Sequence, residues 1–248
     1  MKNYKYYLLI YLLLWVVLFE FILPVNNILP KPSIVFISFG DLWEDYNLPV
    51  NYLSTITAVY LSLLAAYILV RLLTGSLLKT TTPVTDFIIS LEWFAEFIPG
   101  IAIGLMLIYW FPDSESIEFV FAFATAFTSM MIKIKSEVND VPGEYTFSAL
   151  SLGVKQNIVN RFVVWKAVQP ALIKHIFTLH FYIWSMLIAF EYIKGGYGLG
   201  TIFRLALEYK DLSALFSTFI ITGITIYAGA AGIKYLRGKF FSWSIIEQ

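Results

Sequence analysis

The chain has 248 residues, of which 59% are hydrophobic and only 14% are Asp, Glu, Lys or Arg. A soluble domain of this length needs about a quarter of its residues charged, so this composition indicates a protein that lies mostly within a lipid bilayer. The formal net charge of zero excludes the basic surface of a nucleic-acid-binding protein. The lack of cysteine excludes disulfides, thiolate metal sites and a cysteine nucleophile.

Six apolar segments are long enough, at about 20 residues each, to cross a bilayer as helices. In chain order they cover residues 7–24, 53–73, 87–111, 117–134, 172–193 and 212–236. The first could be a signal peptide, but its apolar run continues past Glu20 and no small-x-small cleavage site follows, so a retained span is expected. The third is interrupted at Pro99 and Gly100. The predicted fold class is an all-α integral membrane protein with six transmembrane helices.

The distribution of Lys and Arg predicts the orientation of these spans. With both termini in the cytoplasm, thirteen of the 17 basic residues lie on the inner side. The four on the outer side are Lys31, Lys194, Arg204 and Lys210. Positive charge accumulates in cytoplasmic loops of membrane proteins. We therefore expect a multi-pass membrane protein with both termini cytoplasmic.

The segment 135–170, between the fourth and fifth predicted spans, would lie in the cytoplasm. It is amphipathic, too polar to insert into the bilayer and too regular to be disordered. Such a segment is either a docking surface for a cytosolic partner or an interfacial helix on the lipid headgroups, and its composition does not decide between them.

Motifs in this segment resemble those of binding-protein-dependent ABC permeases. Ala149, Leu152 and Gly153 match the Ala-x-x-Leu-Gly part of the EAA motif, and Pro170 matches its later proline. Residues 29–33, 98–111, 195–200 and 240–243 are similar to motifs of the nitrate/sulfonate/taurine subfamily, so the resemblance covers about residues 29 to 243. The chain departs from the motifs as well. The departures are Phe147 for Glu, Ser148 for Ala, and Lys166, Gly100 and Leu105 for prolines.

The resemblance implies a type I ABC importer-like permease with a cytoplasmic coupling-helix loop, located in the bacterial cytoplasmic (inner) membrane. Residues 1–248 would form one permease domain, with an N-terminal span in 1–28, a core in 50–240 and the coupling loop in 135–170. The implied partners are cytoplasmic ABC ATPase subunits, which bind ATP and Mg²⁺, an extracytoplasmic solute-binding protein, the lipid bilayer and a second permease, either a second copy or a paralogue. This chain has no Gly-x-x-x-x-Gly-Lys-Ser/Thr motif, and no cofactor is expected in it.

In the resembled family this loop forms two short helices that seat in a cleft of the ATPase. The residues that correspond to it here are Phe147, Ser148, Ala149, Leu152, Gly153, Lys155 and Pro170. Gly153 can adopt the left-handed conformation that ends a helix and redirects the chain. We therefore expect two short helices that meet near Gly153.

Two carboxylates stand out in the third predicted span. Glu92 and Glu96 are four residues apart and share one helix face. A charge at the centre of a membrane helix costs roughly 2.5–3.5 kcal/mol, so intramembrane carboxylates usually face other helices. With Pro99 and Gly100 they could line a translocation path for a neutral or cationic solute. Alternatively, they pair with Arg71 or Lys79 in a structural role.

The remaining candidates are glycines and histidines. Gly196, Gly198 and Gly200 are expected to form a tight turn or re-entrant segment that shields the outer mouth of the path. His175 and His180 are five residues apart, without metal-ligand spacing, and are expected to be hydrogen-bonded helix residues. No catalytic or metal site is predicted. A secondary transporter or channel not driven by ATP and, less favoured, an intramembrane enzyme remain as alternatives.

Overall fold

The computed structural model describes residues 4–23, 29–77 and 97–240, together with positions 87, 90, 93 and 94. All regular elements in this part of the chain are helical, which confirms the predicted all-α class. The α-helices are α1 (Tyr4–Val16), α2 (Pro32–Glu44), α3 (Leu48–Leu77), α4 (Gly100–Trp110), α5 (Ile117–Asn139), α6 (Gly143–Ser151), α7 (Gln156–Ile158), α8 (Trp165–Lys194), α9 (Leu199–Glu208) and α10 (Leu212–Phe240). Two π-helical segments, Val17–Ile22 and Val159–Val164, extend α1 and join α7 to α8.

Four helical stretches in the described residues are long and apolar enough to cross a membrane. They are Leu48–Thr74, Ile117–Asn139, Val159–Lys194 and Leu212–Lys239. These stretches contain the second, fourth, fifth and sixth predicted spans, respectively, and extend beyond them. The first and third predicted spans coincide with shorter apolar helices, Leu9–Ile22 and Gly100–Trp110. Four of the six spans are therefore confirmed by length and composition, and the count of six stays a prediction.

The third predicted span is interrupted at the proline and glycine that suggested a break. Ile98 and Pro99 are not helical, and α4 begins at Gly100. Its 11 residues rise about 16 Å, roughly half of the hydrocarbon thickness. Glu92 and Glu96, which precede this break, lie outside the described residues, so their predicted role stays a prediction.

The segment 135–170 differs from the expected pair of short helices. The helix of the fourth span continues to Asn139, and the Lys133 ammonium lies 2.6 Å from the Glu137 carboxylate on its surface. After the short helix α6, a helix begins at Gln156 and continues without a break to Lys194. The expectation of two short helices is therefore wrong, because only α6 is separate and the second helix is the start of the fifth span.

The chain divides into two compact units, each built from discontinuous segments. The first comprises Met1–Ser54 and Glu191–Thr225, and the second comprises Thr55–Phe190 and Ile226–Gln248. The prediction of a single permease domain over 1–248 stays a prediction.

In the first unit, a carboxylate of the first predicted span caps the helix that follows it. Glu20 accepts hydrogen bonds from the backbone N–H of Ser33, at 3.2 Å, and from its hydroxyl, at 2.8 Å. Ser33 lies in the first turn of α2, directly after Pro32. Proline suits the start of a helix because it has no backbone N–H that would need an acceptor there. The partial positive charge of a helix N-terminus stabilises such a carboxylate.

Polar contacts also join α2 to α10 within the first unit. The Ser217 hydroxyl donates to the Val35 carbonyl at 3.0 Å. The Tyr46 hydroxyl, between α2 and α3, donates to the Asp211 carboxylate at 3.1 Å. Burial, together with this carboxylate, raises the pKa of Tyr46 to about 12. Tyr46 therefore stays a neutral donor at any physiological pH.

In the second unit, an aromatic stack and a glycine bring three helices together. The rings of Phe121 in α5 and Phe190 in α8 stack with centroids 4.6 Å apart. A Cβ on Gly104 of α4 would lie 2.9 Å from a ring atom of Phe190, so only glycine allows α4 to approach this stack so closely. This packing fixes α4, α5 and α8 around the cavity described below.

Candidate functional site

The loop helix α6 ends in a well-formed Schellman motif centred on Gly153. The Gly153 N–H donates to the Leu150 carbonyl at 2.9 Å, and the Val154 N–H donates to the Ala149 carbonyl at 3.2 Å. Gly153 has φ +77°, in the left-handed region that favours glycine, as expected. A Cβ at this position would meet nothing within 4 Å, so the backbone conformation alone requires the glycine.

The end of the loop helix presents apolar side chains to the surroundings. Phe147 is 70% exposed and Leu152 is 83% exposed. Ser148 and Lys155 are exposed, whereas Ala149 is half-buried. Large apolar side chains that are exposed beside polar ones are found at surfaces that either a partner or the lipid headgroup region covers.

The loop helix also contacts the start of the helix that forms the fifth span. Helix α6 contacts the π-helical segment Val159–Val164, in which Val159, Asn160 and Val164 are buried. The Gln156 amide donates to the Asn160 side-chain oxygen at 2.8 Å. Because this segment continues directly into α8, a displacement of α6 would be transmitted to the fifth span through one helix.

A cavity of about 580 Å³ lies among the start of α4, the middle of α5 and the first half of α8. Gly100, one of the predicted path residues, lines it, whereas Pro99 does not. The lining residues are Phe94, Ile98, Gly100, Ile103, Phe121, Ala124, Thr125, Thr128, Ser129, Ile132, His175, Thr178, Leu179 and Tyr182. They are mostly apolar, and the polar ones carry hydroxyls or an imidazole.

The glycine-rich segment after the fifth span forms a turn locked by two buried polar side chains. Gly195, Gly196 and Gly198 have φ of +71°, +92° and +113°. The Gly198 N–H donates to the Asn51 side-chain oxygen at 2.8 Å, and the Gly200 N–H donates to the Glu191 carboxylate at 2.9 Å. Glu191 is fully buried, so it caps α9 in the interior of the first unit.

The position of Gly198 leaves no space for a side chain. A Cβ there would lie 2.2 Å from the carboxyl carbon of Glu191. Gly198 and Gly200 are buried and Gly196 is exposed. The expected tight turn is therefore present, and it leads into the amphipathic helix α9, which the sequence reading did not predict.

The predicted site residues fall into separate places. The structure brings together residues 147–155 at the end of α6, but Pro170 lies inside α8 rather than in the loop. The glycines 196–200 belong to the turn before α9, in the other unit.

Both histidines are hydrogen-bonded helix residues, as predicted. The His175 Nε2 lies 2.9 Å from the Ser129 hydroxyl. The His180 Nε2 accepts from the Trp184 indole at 3.1 Å and lies 3.2 Å from the Tyr60 hydroxyl. Within the described part of the chain, no group of three or more His, Asp or Glu side chains could hold a metal ion.

Sequence reasoning missed Glu20, Asn51 and Glu191, the residues that hold the first unit together. The carboxylates could have been noticed, because Glu191 ends an apolar span directly before a glycine-rich segment and Glu20 lies in an apolar run. Asn51 gave no such indication, because its partner Gly198 is 147 residues away.

Comparison with known proteins found one informative relative. No family model matches the chain. Over 147 residues the chain is 26% identical to a protein of Methanocaldococcus jannaschii that is named an ABC transporter permease. The matched region covers 59% of this chain and 55% of the relative, so the chain spans about half the length of that protein. The similarity supports the ABC permease family and a multi-pass membrane protein. It does not identify the nitrate/sulfonate/taurine subfamily.

Proposed function

We propose that this protein is the membrane permease subunit of an ATP-driven solute importer and that it couples to a separate cytoplasmic ATPase through the loop helix α6. One observation carries the coupling part of the proposal. A short helix between two membrane-length helices ends in a glycine-dependent turn, has exposed apolar side chains, and packs against the helix that becomes the fifth span. The permease similarity supports the wider assignment.

In this proposal the loop helix is the element that the ATPase moves. Phe147 and Leu152 would lose their exposed apolar surface in the partner's cleft, which stabilises docking by the hydrophobic effect. Lys155, which is exposed beside them, would meet acidic groups of the partner. A short element with a fixed end transmits rigid-body motion instead of absorbing it, and α8 would carry that motion into the membrane.

The remaining partners follow from the same assignment. Residues 140–155 would face the cytoplasm, as the distribution of Lys and Arg predicts. The partner ATPase would bind ATP and Mg²⁺, and an extracytoplasmic solute-binding protein would deliver the solute. A second permease, a copy of this chain or a paralogue, would complete the path. The motif resemblance favours the nitrate/sulfonate/taurine subfamily, but the departures at Phe147 and Ser148 mark a divergent member, so the substrates of that subfamily are not carried over to this chain.

A secondary transporter or channel is the second candidate, and an intramembrane enzyme is a weaker third. The permease similarity disfavours both. Transport that persists without any ATPase would favour the second candidate. Hydrolysis or isomerisation of a membrane substrate by the isolated chain would favour the third.

Co-expression with candidate ATPase and solute-binding subunits tests the proposal. We expect the three proteins to co-purify and to hydrolyse ATP faster when the solute-loaded binding protein is added. Phe147→Ser should weaken ATPase co-purification about tenfold, as the loss of a well-buried aromatic contact does at other interfaces. The matched control Phe36→Ser removes a ring that is 73% exposed on α2 and should leave co-purification unchanged.

A result in which no ATPase co-purifies with the wild-type chain, while solute transport proceeds, would contradict the proposal. Equal losses for Phe147→Ser and Phe36→Ser would contradict the role given to the loop helix.

A further inference from the structure

We propose that the cavity among α4, α5 and α8 binds an uncharged organic solute with a flat apolar surface and one or two hydrogen-bonding groups. This inference rests on the proposed function and names the solute class that the permease would carry. The cavity lies wholly within the second unit, and Gly100 from the interrupted third span forms part of its wall.

The size and charge of the cavity disfavour a small inorganic anion. Its volume of about 580 Å³ lies within the range of organic ligand sites, roughly 300–1,000 Å³. Nitrate or sulfate would fill little of it. Among the described lining residues no Lys, Arg, Asp or Glu is present, so a desolvated ion would find no opposite charge in the part of the wall that is described.

The polar groups of the wall suit hydrogen bonds to a neutral molecule. In the described part of the chain, the hydroxyls of Thr128, Thr178 and Tyr182 have no protein partner. The Thr125 hydroxyl, in contrast, donates to the Phe121 carbonyl at 2.9 Å within its own helix. A threonine hydroxyl can donate to a carbonyl of its own helix even when it faces acyl chains, but the Tyr182 phenol cannot, so a solute with a donor or acceptor offers Tyr182 a partner that a lipid tail does not.

Aromatic and imidazole rings complete the site. Phe94, which is 41% exposed, offers a flat apolar surface against which a planar solute could stack, whereas Phe121 is buried with one face already stacked on Phe190. His175 lies beside Ser129, and a neutral imidazole can both donate and accept. Lys133, a cation on the same helix as Ser129, is already paired with Glu137 at 2.6 Å. These features together favour an uncharged, partly aromatic molecule.

Three molecules of nearly the same shape and different charge test the inference: benzamide, benzoate and benzamidinium. The chain has no cysteine, so Thr128→Cys and Thr178→Cys each introduce one thiol into the cavity wall, from α5 and α8 respectively. Leu152→Cys, on the exposed end of α6, is the control outside the cavity. Each variant of the full chain is placed in lipid nanodiscs, and the rate of labelling by N-ethylmaleimide is measured with and without each molecule.

We expect benzamide to slow labelling of both cavity thiols and to leave Leu152→Cys unaffected. A ligand of this size binds with a dissociation constant of about 5 mM, so ~10 mM should slow labelling about threefold. Benzoate and benzamidinium should have little effect. The two cavity variants guard against misfolding of one of them, and elution of each as a single sharp peak confirms that it is folded.

Protection by benzoate or benzamidinium equal to that by benzamide would overturn the assignment of an uncharged solute. Cavity thiols that N-ethylmaleimide cannot reach, or that benzamide does not protect, would overturn the site and indicate that lipid or a second chain fills it. The assay uses neither ATP nor an ATPase, so its failure is separate from that of the proposed function. Solute-stimulated ATP hydrolysis with unprotected thiols would leave the permease assignment intact and remove only the solute class.

Discussion

Gly153 and Gly198 both redirect the chain with a left-handed backbone, but their surroundings differ completely. Gly153 is exposed at the end of α6, where an added Cβ would meet nothing within 4 Å. Gly198 is buried, and the same Cβ would lie 2.2 Å from the carboxyl carbon of Glu191. The turn at Gly153 requires glycine for its backbone conformation alone. The turn at Gly198 requires glycine for its backbone conformation and for lack of space, and it is also held by buried hydrogen bonds.

This difference separates a surface for a partner from an internal lock. Around Gly198, the side-chain oxygens of Asn51 and Glu191 accept hydrogen bonds from the backbone N–H groups of Gly198 and Gly200, which leaves little for another molecule to bind. Around Gly153, the exposed Phe147 and Leu152 have apolar surface that the chain itself does not cover. Substitutions in the two turns should therefore affect different properties.

The largest expected effect is that of Gly198→Ala on folding. The new methyl group would overlap the Glu191 carboxylate, and alanine resists φ +113°. We expect a loss of about 3 kcal/mol or more in the free energy of unfolding, seen as a large fall in the yield of monodisperse protein in detergent.

Gly196→Ala is the control for that effect, since its φ is also positive but an added Cβ would meet only the Lys194 ammonium at 3.8 Å. It should cost about 1–2 kcal/mol, the backbone term alone. Equal yields for the Gly198 variant and the wild type would show that the turn is not locked.

A smaller effect is expected for Glu191→Gln. The amide keeps the shape of the side chain but replaces one carboxyl oxygen with an NH2 group, which cannot accept a hydrogen bond from the buried backbone at the start of α9. The thermal unfolding midpoint should fall, with a loss of about 1–2 kcal/mol. Glu208→Gln is the matched control, because the exposed Glu208 carboxylate lies 3.6 Å from Arg204 and such pairs contribute about 0–1 kcal/mol. Midpoints lowered equally by both substitutions would contradict the distinct role of Glu191.

The effect of Gly153→Val on folding should be no larger than that of Glu191→Gln, although its effect on coupling should be clear. No neighbour obstructs the side chain, so the cost is about 1–2 kcal/mol from the left-handed backbone. The protein should insert and elute as the wild type does, while solute-stimulated ATP hydrolysis by the assembled complex falls severalfold. Ser151→Val, exposed and helical two residues earlier, is the control and should leave hydrolysis near normal. Wild-type hydrolysis by the Gly153 variant would remove the glycine from the coupling mechanism.

The sequence predicted the features that depend on local physics. The break at Pro99 and Gly100 and the left-handed conformation of Gly153 follow from the residue types themselves. Four membrane-length helices follow from apolar composition. Helix α9 was missed because its 10 residues are too short for a span, although its apolar positions recur with a helical period.

The features that depend on distant contacts could not be predicted in this way. Nothing near Asn51 indicates that its side chain accepts from Gly198, since only the folded chain brings α3 to the turn before α9. The length of the second loop helix was misjudged because polar residues at 156–166 suggested a loop, whereas the helix of the fifth span extends beyond its apolar part through them.

Photo-cross-linking from the loop helix tests the central claim most directly. The chain has no cysteine, so purified Leu152→Cys can be labelled at this position alone with benzophenone-4-maleimide before the complex is assembled. We expect illumination to attach the ATPase subunit at this position, with a yield that changes when ATP is bound. Leu207→Cys, 50% exposed on α9, should give no ATPase adduct, because we expect it on the other side of the membrane. A complex in which Leu152→Cys is fully labelled but never cross-links to an ATPase would contradict the claim that the loop helix is the coupling element.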